Sequence, residues 1–224
     1  MADAMLVPSA TSFAQDRVPA LVASGTLPGW RRLEDVAVTS LRHMATSEVA
    51  RAAMARAGVA WPQATGEVQG LVTGPANGHR DEGESSPSAE SGELLAMRRH
   101  PEEAILIGTS GTRLDTLVAA LAPGRHADAF ATDLSDGMAT IALEGPRLEA
   151  WLARVVDAMA IPRSPGTATR VRFADIAVLL LRLAPERIWL VVDRALAAYA
   201  GEWLTYAHAG AFAEPLEPLP RTSP

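Results

Sequence analysis

The chain has 224 residues, a formal net charge of −6 and no Cys, and all 20 of its basic residues are Arg. The absence of Cys and Lys excludes disulfides, thiolate metal sites, cysteine nucleophiles, Schiff-base lysines and P-loop lysines. The acidic balance disfavours nucleic acid as a partner, and the longest apolar run, 176–181, is far below the ~18 residues that span a bilayer. We therefore expect a soluble, cytoplasmic protein that binds neither nucleic acid nor membrane.

The N-terminal third of the chain predicts an arm and a first structural unit. Residues 1–33 mix Pro, Ser and Gly, which predicts a loosely ordered N-terminal arm. In 34–73 a strand leads to a helix over 47–57, Gly58 follows it at the position of a C′ glycine, and a strand returns over 67–72. This order predicts a βαβ-type unit.

An acidic segment and a Pro-rich tail interrupt the structured parts. Residues 74–93 contain five Asp or Glu and no Val, Ile, Leu, Phe or Trp, so they cannot bury enough apolar surface to offset their ordering entropy. We predict a flexible acidic insertion over 74–101. The tail, residues 210–224, is Pro-rich and predicted to be extended.

A second βαβ-type unit is predicted over 102–209. It begins with a strand over 104–108 and a helix over 114–121. The Asp136-Gly137 dipeptide predicts a hairpin between the next two strands, because Gly tolerates positive φ. The later elements are a helix over 146–158 with Pro146 at its first position and three strands over 169–175, 176–183 and 187–193. A last helix is predicted over 195–207, and one face of it combines Leu196, Tyr199, Ala200, Trp203, Leu204 and Ala207. The pattern predicts an α+β fold of two βαβ-type units with antiparallel hairpins and helices on one face of the sheet.

Two short motifs allow a functional interpretation, but a structural one is favoured for each. Residues 107–113, IGTSGTR, could present backbone amides to a phosphate, yet they fit neither a dinucleotide-binding nor a Walker motif, so helix capping is preferred. Asp133 and Asp136 could act as paired carboxylates, but a turn commonly uses Asp to bond its own backbone.

The remaining candidates are dispersed His, Arg and Trp residues. None of the five His forms a pair at metal-ligand spacing: His43, His79, His100, His126 and His208. Five Arg crowd the last strands, where carboxylate forks to another subunit and a solvated strand face are equally good interpretations: Arg170, Arg172, Arg182, Arg187 and Arg194. Trp189 is expected in the core, and Trp30 on the arm is a candidate for contact with another chain.

Local patterns over residues 104–207 carry a family resemblance. A D-L-S-D-G turn at 133–137 precedes a strand that ends in Gly145-Pro146. The family's A-x-T-R pattern, which is one residue shorter here, its V-L-L-x-R pattern and its closing helix follow at Ala168, Thr169, Arg170, Ile176, Val178, Leu179, Leu180, Arg182, Val192, Arg194, Trp203 and Leu204. In this order they resemble the gamma subunit family of heterotetrameric sarcosine oxidase, and residues 36–68 resemble that family's first unit. The chain differs at Ala195, where the family has Ser, and at Gly201, where it has Trp.

The resemblance implies the folate-binding fold of the glycine-cleavage T protein, in a subunit with no catalytic, cofactor-binding or metal residues of its own. It implies alpha, beta and delta partner subunits, which hold FAD, FMN, NAD, folate and zinc. The implied function is support of a flavoprotein that oxidatively demethylates an N-methyl amino acid such as sarcosine, producing formaldehyde or methylene-tetrahydrofolate. A gamma-type subunit of N-methylglutamate dehydrogenase, a stand-alone folate-binding T-protein-like module and an interaction module of an unknown complex remain alternatives.

Overall fold

Two five-stranded antiparallel sheets organise the chain in a computed structural model, which describes residues 28–44, 47–71, 94–108 and 111–212. The strands in chain order are β1 (Gly29–Leu33), β2 (Ala37–His43), β3 (Val68–Leu71), β4 (Leu94–His100), β5 (Glu103–Gly108), β6 (Ala129–Asp133), β7 (Met138–Glu144), β8 (Thr167–Phe173), β9 (Ile176–Ala184) and β10 (Arg187–Asp193). The first sheet has the order β1-β7-β10-β9-β8, and the second sheet has the order β3-β4-β5-β2-β6.

The helices cover the outer faces of the sheets, which produces four layers. On the second sheet lie α1 (Glu48–Arg56) and α2 (Gly111–Ala120); on the first lie α3 (Leu148–Leu152) and α4 (Ala197–Phe212), which a 3₁₀ turn over Arg194–Leu196 precedes. Between the sheets, side chains such as Val38 and Ile107 of the second pack against Leu181 and Trp189 of the first. The predicted α+β class with antiparallel hairpins is confirmed, but the helices that the sequence places on one face of a single sheet are divided between the outer faces of two sheets.

The first helix has the ends that its sequence predicts. Ser47 is the N-cap, and its Oγ accepts a hydrogen bond from the Ala50 amide at 3.2 Å. Gly58 has φ +76°, the left-handed conformation that a C′ glycine adopts at low cost. Both ends of α1 are therefore fixed by local chemistry, and the predicted helix over 47–57 is confirmed.

The predicted hairpin at Asp136-Gly137 is wrong, because this turn carries the chain from one sheet to the other. The strand before it, β6, pairs with β2 of the second sheet, and the strand after it, β7, pairs with β1 and β10 of the first. Gly137 has no positive φ. Ser135 Oγ accepts from the Val38 amide of β2 at 3.0 Å, and Arg194, just after β10, donates to the Ser135 carbonyl at 2.7 Å. The crossing turn is therefore hydrogen-bonded to residues in or next to both sheets.

The helix predicted over 146–158 is much shorter in the structure. Arg147 has φ +59°, so Pro146 is not the first helical residue, and α3 ends at Leu152. Beyond α3, the Val155 carbonyl accepts a hydrogen bond at 2.7 Å from the amide of Ala174, in the turn between β8 and β9. Val155 therefore bonds to a residue distant in sequence, and the helix does not continue as predicted.

Two strands lie where the sequence predicts an arm and an insertion. The strand β1 falls within 1–33 and β4 within 74–101, and both are strands because a sheet neighbour pairs with each. The first four residues of β4 are buried. The helix α4 reaches Phe212, within the predicted tail, while residues 1–27, 72–93 and 213–224 lie outside the described residues. The boundaries of the two βαβ-type units, 34–73 and 102–209, stay a prediction. Residues 102–209 supply strands to both sheets.

The segment 63–68 joins the two sheets at one corner. The Ala168 amide of β8 donates to the Gly66 carbonyl at 2.6 Å, and the Val68 amide of β3 donates to the Gly166 carbonyl at 2.8 Å. Gly66 has φ +82°, and a Cβ there would lie 2.8 Å from the Ala168 carbonyl oxygen, so only glycine fits.

Glu67 holds the turn of this corner. Its Oε2 accepts from the Ala64 amide at 2.8 Å and from the Gln63 amide at 2.6 Å. The Ala64 hydrogen bond is the largest cause that lowers the pKa of Glu67 below its ordinary value; Gln69, Gln63 and Arg98 act in the same direction, and desolvation opposes them. The ionised carboxylate is therefore favoured in the folded chain.

We expect Glu67→Gln to destabilise the fold at pH 7 but not at acid pH. Because the pKa of Glu67 is lowered on folding, its stabilisation is present above the unfolded pKa of about 4.3 and is lost as the pH falls through the folded pKa. Urea unfolding at pH 7 and at about pH 3 measures the difference. Glu102→Gln, at an exposed turn, is the control. An equal loss at both pH values would contradict the assigned role.

The indole of Trp30 lies against the α4 backbone at Gly201. A Cβ at Gly201 would lie 2.9 Å from Trp30 Cη2, so the glycine makes room for the indole. Trp30 belongs to β1 and packs at the edge of the core between the first sheet and its helices. Trp30 therefore has a packing partner within its own chain, and because its side chain is only partly buried, its contact with another chain stays a prediction.

We expect Gly201→Leu to destabilise the chain, although leucine favours a helix by about 1 kcal/mol over glycine. Trp30→Ala should cost about 2 kcal/mol, because its side chain is only partly buried. The double variant should lose less than the sum, since the clash disappears with the indole. Urea unfolding of the four proteins gives the coupling, and Ala198→Leu on the exposed side of α4 is the control. Additive losses would contradict the contact.

Candidate functional site

The two candidate motifs give different outcomes. Asp133 Oδ1 accepts from the Ser135 amide at 2.9 Å and from Ser135 Oγ at 2.6 Å, which supports the turn interpretation. Of 107–113, the first two residues end β5 and α2 begins at Gly111. Residues 109–110 lie outside the described residues, so helix capping and phosphate binding both stay predictions.

The histidines that the structure describes lie in separate places. His43 is buried, with Nδ1 2.9 Å from the Met44 carbonyl and its ring centroid 4.5 Å from that of Trp61. His208 Nε2 lies 2.8 Å from the Pro28 carbonyl. His126 lies near the Ala120 carbonyl, His100 lies at an exposed turn and His79 lies outside the described residues. Within 28–44, 47–71, 94–108 and 111–212, no three His, Asp or Glu side chains are placed to hold a metal ion.

The tryptophans are buried or half-buried. Trp189 is 1% exposed and packs between the sheets, so its predicted core position is confirmed. Trp151 is buried under α4, and its Nε1 donates to the Leu204 carbonyl at 2.9 Å. Trp61 is half-buried against His43. These three residues have structural roles.

The five arginines of the last strands do not form one surface. Arg182 is 2% exposed, and it donates to the Pro162 carbonyl at 2.6 Å, to the Pro185 carbonyl at 2.7 Å and to Glu149. Its planar guanidinium satisfies three acceptors at once, which makes it a core anchor. Arg187 lies 3.5 Å from Glu144 and over the Trp189 ring, and Arg194 donates to Ser135 at the crossing turn.

Arg170 and Arg172 are exposed on β8, and they line an open depression of about 530 Å³. Arg172 donates to Asp175 at 2.7 Å, and both of these side chains are largely exposed. The other lining residues are Val171, Ile176 and Ala177. Arg170 and Arg172, the latter paired with Asp175, match the solvated-face interpretation at the edge of the first sheet.

A stripe of apolar and aromatic side chains lies on the outward flank of α4. Its members, the α4 stripe, are Leu196 at the end of the preceding 3₁₀ turn and Tyr199, Trp203 and Tyr206 of α4, at spacings of three, four and three residues. Leu196 is 37% and Tyr206 is 68% exposed. The ring centroids of Tyr199 and Trp203 lie 6.3 Å apart, and those of Trp203 and Tyr206 lie 5.6 Å apart.

The stripe corrects the helical face that the sequence predicts. That face combines Leu196, Tyr199 and Trp203 with Ala200, Leu204 and Ala207, whereas the buried residues of α4 are Ala197, Ala200, Gly201, Leu204 and Ala207. The signal for the second apolar flank is that the 16 residues of α4 contain one charged side chain, Glu202. A helix that is apolar on nearly all sides is normally covered on nearly all sides. No described helix is long and apolar enough to cross a bilayer.

Two solved structures to which the chain is similar bear on its fold and on its sequence. No family model matches the chain, and no curated protein matches it. The aminomethyltransferase T of the glycine cleavage system from Bartonella henselae superimposes with a TM-score of 0.52 at 14% identity, over 80% of this chain and 45% of that chain. This likeness confirms the expected fold.

The second likeness extends over almost the whole chain. A chain of the heterotetrameric sarcosine oxidase from Corynebacterium sp. U-96 superimposes with a TM-score of 0.70 at 25% identity, and the match covers 91% of this chain and 95% of that chain. In fold, length and sequence, the chain is therefore similar to a chain of heterotetrameric sarcosine oxidase.

Proposed function

We propose that the chain is a non-catalytic, gamma-type subunit of a heterotetrameric flavoprotein that oxidatively demethylates an N-methyl amino acid such as sarcosine, producing formaldehyde or methylene-tetrahydrofolate. The observation that carries this proposal is the match over 95% of a sarcosine oxidase chain. In this proposal alpha, beta and delta subunits are the partners in the cytoplasm. FAD, FMN, NAD, folate and zinc lie in those partner chains.

The α4 stripe supports a role in assembly. Aromatic side chains are favoured at interface centres, because they bury a large area at a small cost in side-chain entropy. Trp203 is half-buried against its own core, and Tyr206 is 68% exposed beside it, so the stripe continues the core to the surface. We propose that the apolar surface of a larger partner subunit covers this flank.

The nearest alternative is the corresponding subunit of N-methylglutamate dehydrogenase. It predicts the same fold and the same α4 contact, and it differs in the substrate of the partner subunits. A second alternative, a stand-alone folate-binding module, is favoured only by the likeness in fold to aminomethyltransferase T. These candidates differ in what accompanies the chain and in which substrate reduces the flavin.

Co-purification of the tagged full chain from its native host separates these functions. We expect flavin absorption bands that elute with the chain and its partners, and bleaching of those bands by sarcosine in the absence of oxygen. Bleaching by N-methylglutamate alone would favour the dehydrogenase. A colourless monomer that binds folate would overturn the proposed subunit role.

We expect Tyr206→Asp to release the chain from the flavin-containing fraction, with at least about a tenfold loss of co-purified flavin. The Tyr206 side chain is mostly exposed, so the thermal unfolding of the isolated variant should match that of the unmodified chain. Ala198→Asp places the same charge at an exposed position of α4 outside the α4 stripe and is the control. Equal flavin recovery from both variants would show that the α4 stripe is not the docking surface.

A further inference from the structure

We propose that the outer edge of β8 binds an extended, acidic segment of another polypeptide, which adds to the first sheet as a sixth strand. The inference rests on the free backbone groups and the charge of this edge. It goes beyond the proposed subunit role and does not depend on the α4 stripe.

Among the described residues, none pairs with the outer backbone groups in the middle of β8. On one side all seven residues pair with β9. On the other side the Ala168 amide donates to Gly66 at the start of the strand, and the Ala174 amide, just beyond its end, donates to Val155. Because backbone groups alternate along an antiparallel strand, Arg170 and Arg172 also direct their N–H and C=O groups outward. No strand in the described part of the chain pairs with these groups.

At the edge of the second sheet, an outward backbone group of the edge strand is hydrogen-bonded within the chain. In β6, at the end of the second sheet, the Ala131 amide donates outward to the Leu121 carbonyl, just after α2, at 2.7 Å. The window between Ala168 and Ala174 lacks such a cover among the described residues. It spans about 20 Å of strand, enough for a segment of about five residues.

The side chains of the window select an acidic occupant. Arg170 and Arg172 are two residues apart, so both point to the same face of the sheet at a spacing of about 7 Å. The depression of about 530 Å³ beside them contains one acidic side chain, Asp175, which pairs with Arg172. Two arginines and one aspartate line the depression, so its formal charge is +1 in a chain of net charge −6, and Arg170 is the arginine that Asp175 does not pair with.

An added strand with carboxylates at every second residue fits both features at once. Its backbone would take up the outward N–H and C=O groups of Arg170 and Arg172, and its alternate side chains would reach the two guanidinium groups. Two adjacent carboxylates would point to opposite faces and could not serve both arginines. The spacing of the acidic residues is therefore the specificity that we infer.

The test uses the full chain and a fluorescein-labelled threonine peptide with Glu at alternate positions. We expect saturable binding by anisotropy, and slower amide hydrogen exchange by NMR at Arg170 and Arg172. Peptides with Gln in place of Glu, or with the two Glu adjacent, should bind about tenfold more weakly. The Arg170→Gln, Arg172→Gln double variant should lose about as much, while Arg51→Gln, an exposed arginine of α1, should bind as the unmodified chain does.

Arginines on an edge strand can also serve only to prevent unwanted association, and this role predicts different results. Absence of saturable binding, equal affinity for the alternating and adjacent peptides, or full affinity in the double arginine variant would each overturn the proposal. Tyr206→Asp should leave peptide binding unchanged, so that a failure of α4 docking and a failure of the β8 edge are told apart.

Discussion

The central strand β10 is buried on both faces, and this constraint determines the architecture. Ile188, Leu190 and Val192 face the helices, while Trp189 and Val191 face the second sheet. A strand of this composition needs an apolar layer on each side, and one pair of short helices covers only one of them. The second sheet supplies the other layer. Its own outer face then requires α1 and α2, which gives the four-layer arrangement.

The sequence predicts those elements whose signals are local. Ser47 and Gly58 mark the ends of α1, and the strands β8, β9 and β10 stand out by their apolar runs. Which strands pair is a tertiary property, so the turn at 135–137 could be recognised as a turn but not as a crossing between sheets. The short α3 and the strand β1 depend likewise on partners distant in sequence.

The same limit applies to the candidate surfaces. Arg182 and Arg170 lie on neighbouring strands and look equivalent in the sequence, yet one is a buried anchor and the other is exposed. The difference arises because three acceptors from separate segments of the chain meet at Arg182: the carbonyls of Pro162 and Pro185 and the carboxylate of Glu149. By contrast, the apolar flank of α4 could be found from sequence, since a 16-residue helix with one charge has more apolar surface than one core face needs.

The pairing of β1 with β7 has a consequence for the order of folding. All five strands of the second sheet lie between these two neighbours in the chain, so the contact between β1 and β7 closes a loop of about 110 residues. Strands β7 to β10 instead follow one another and pair through shorter connections. During synthesis the second sheet emerges whole before the strand that β1 needs. Among the ladders of the first sheet, the one that carries Trp30 therefore closes the longest loop and has the largest entropic cost of closure.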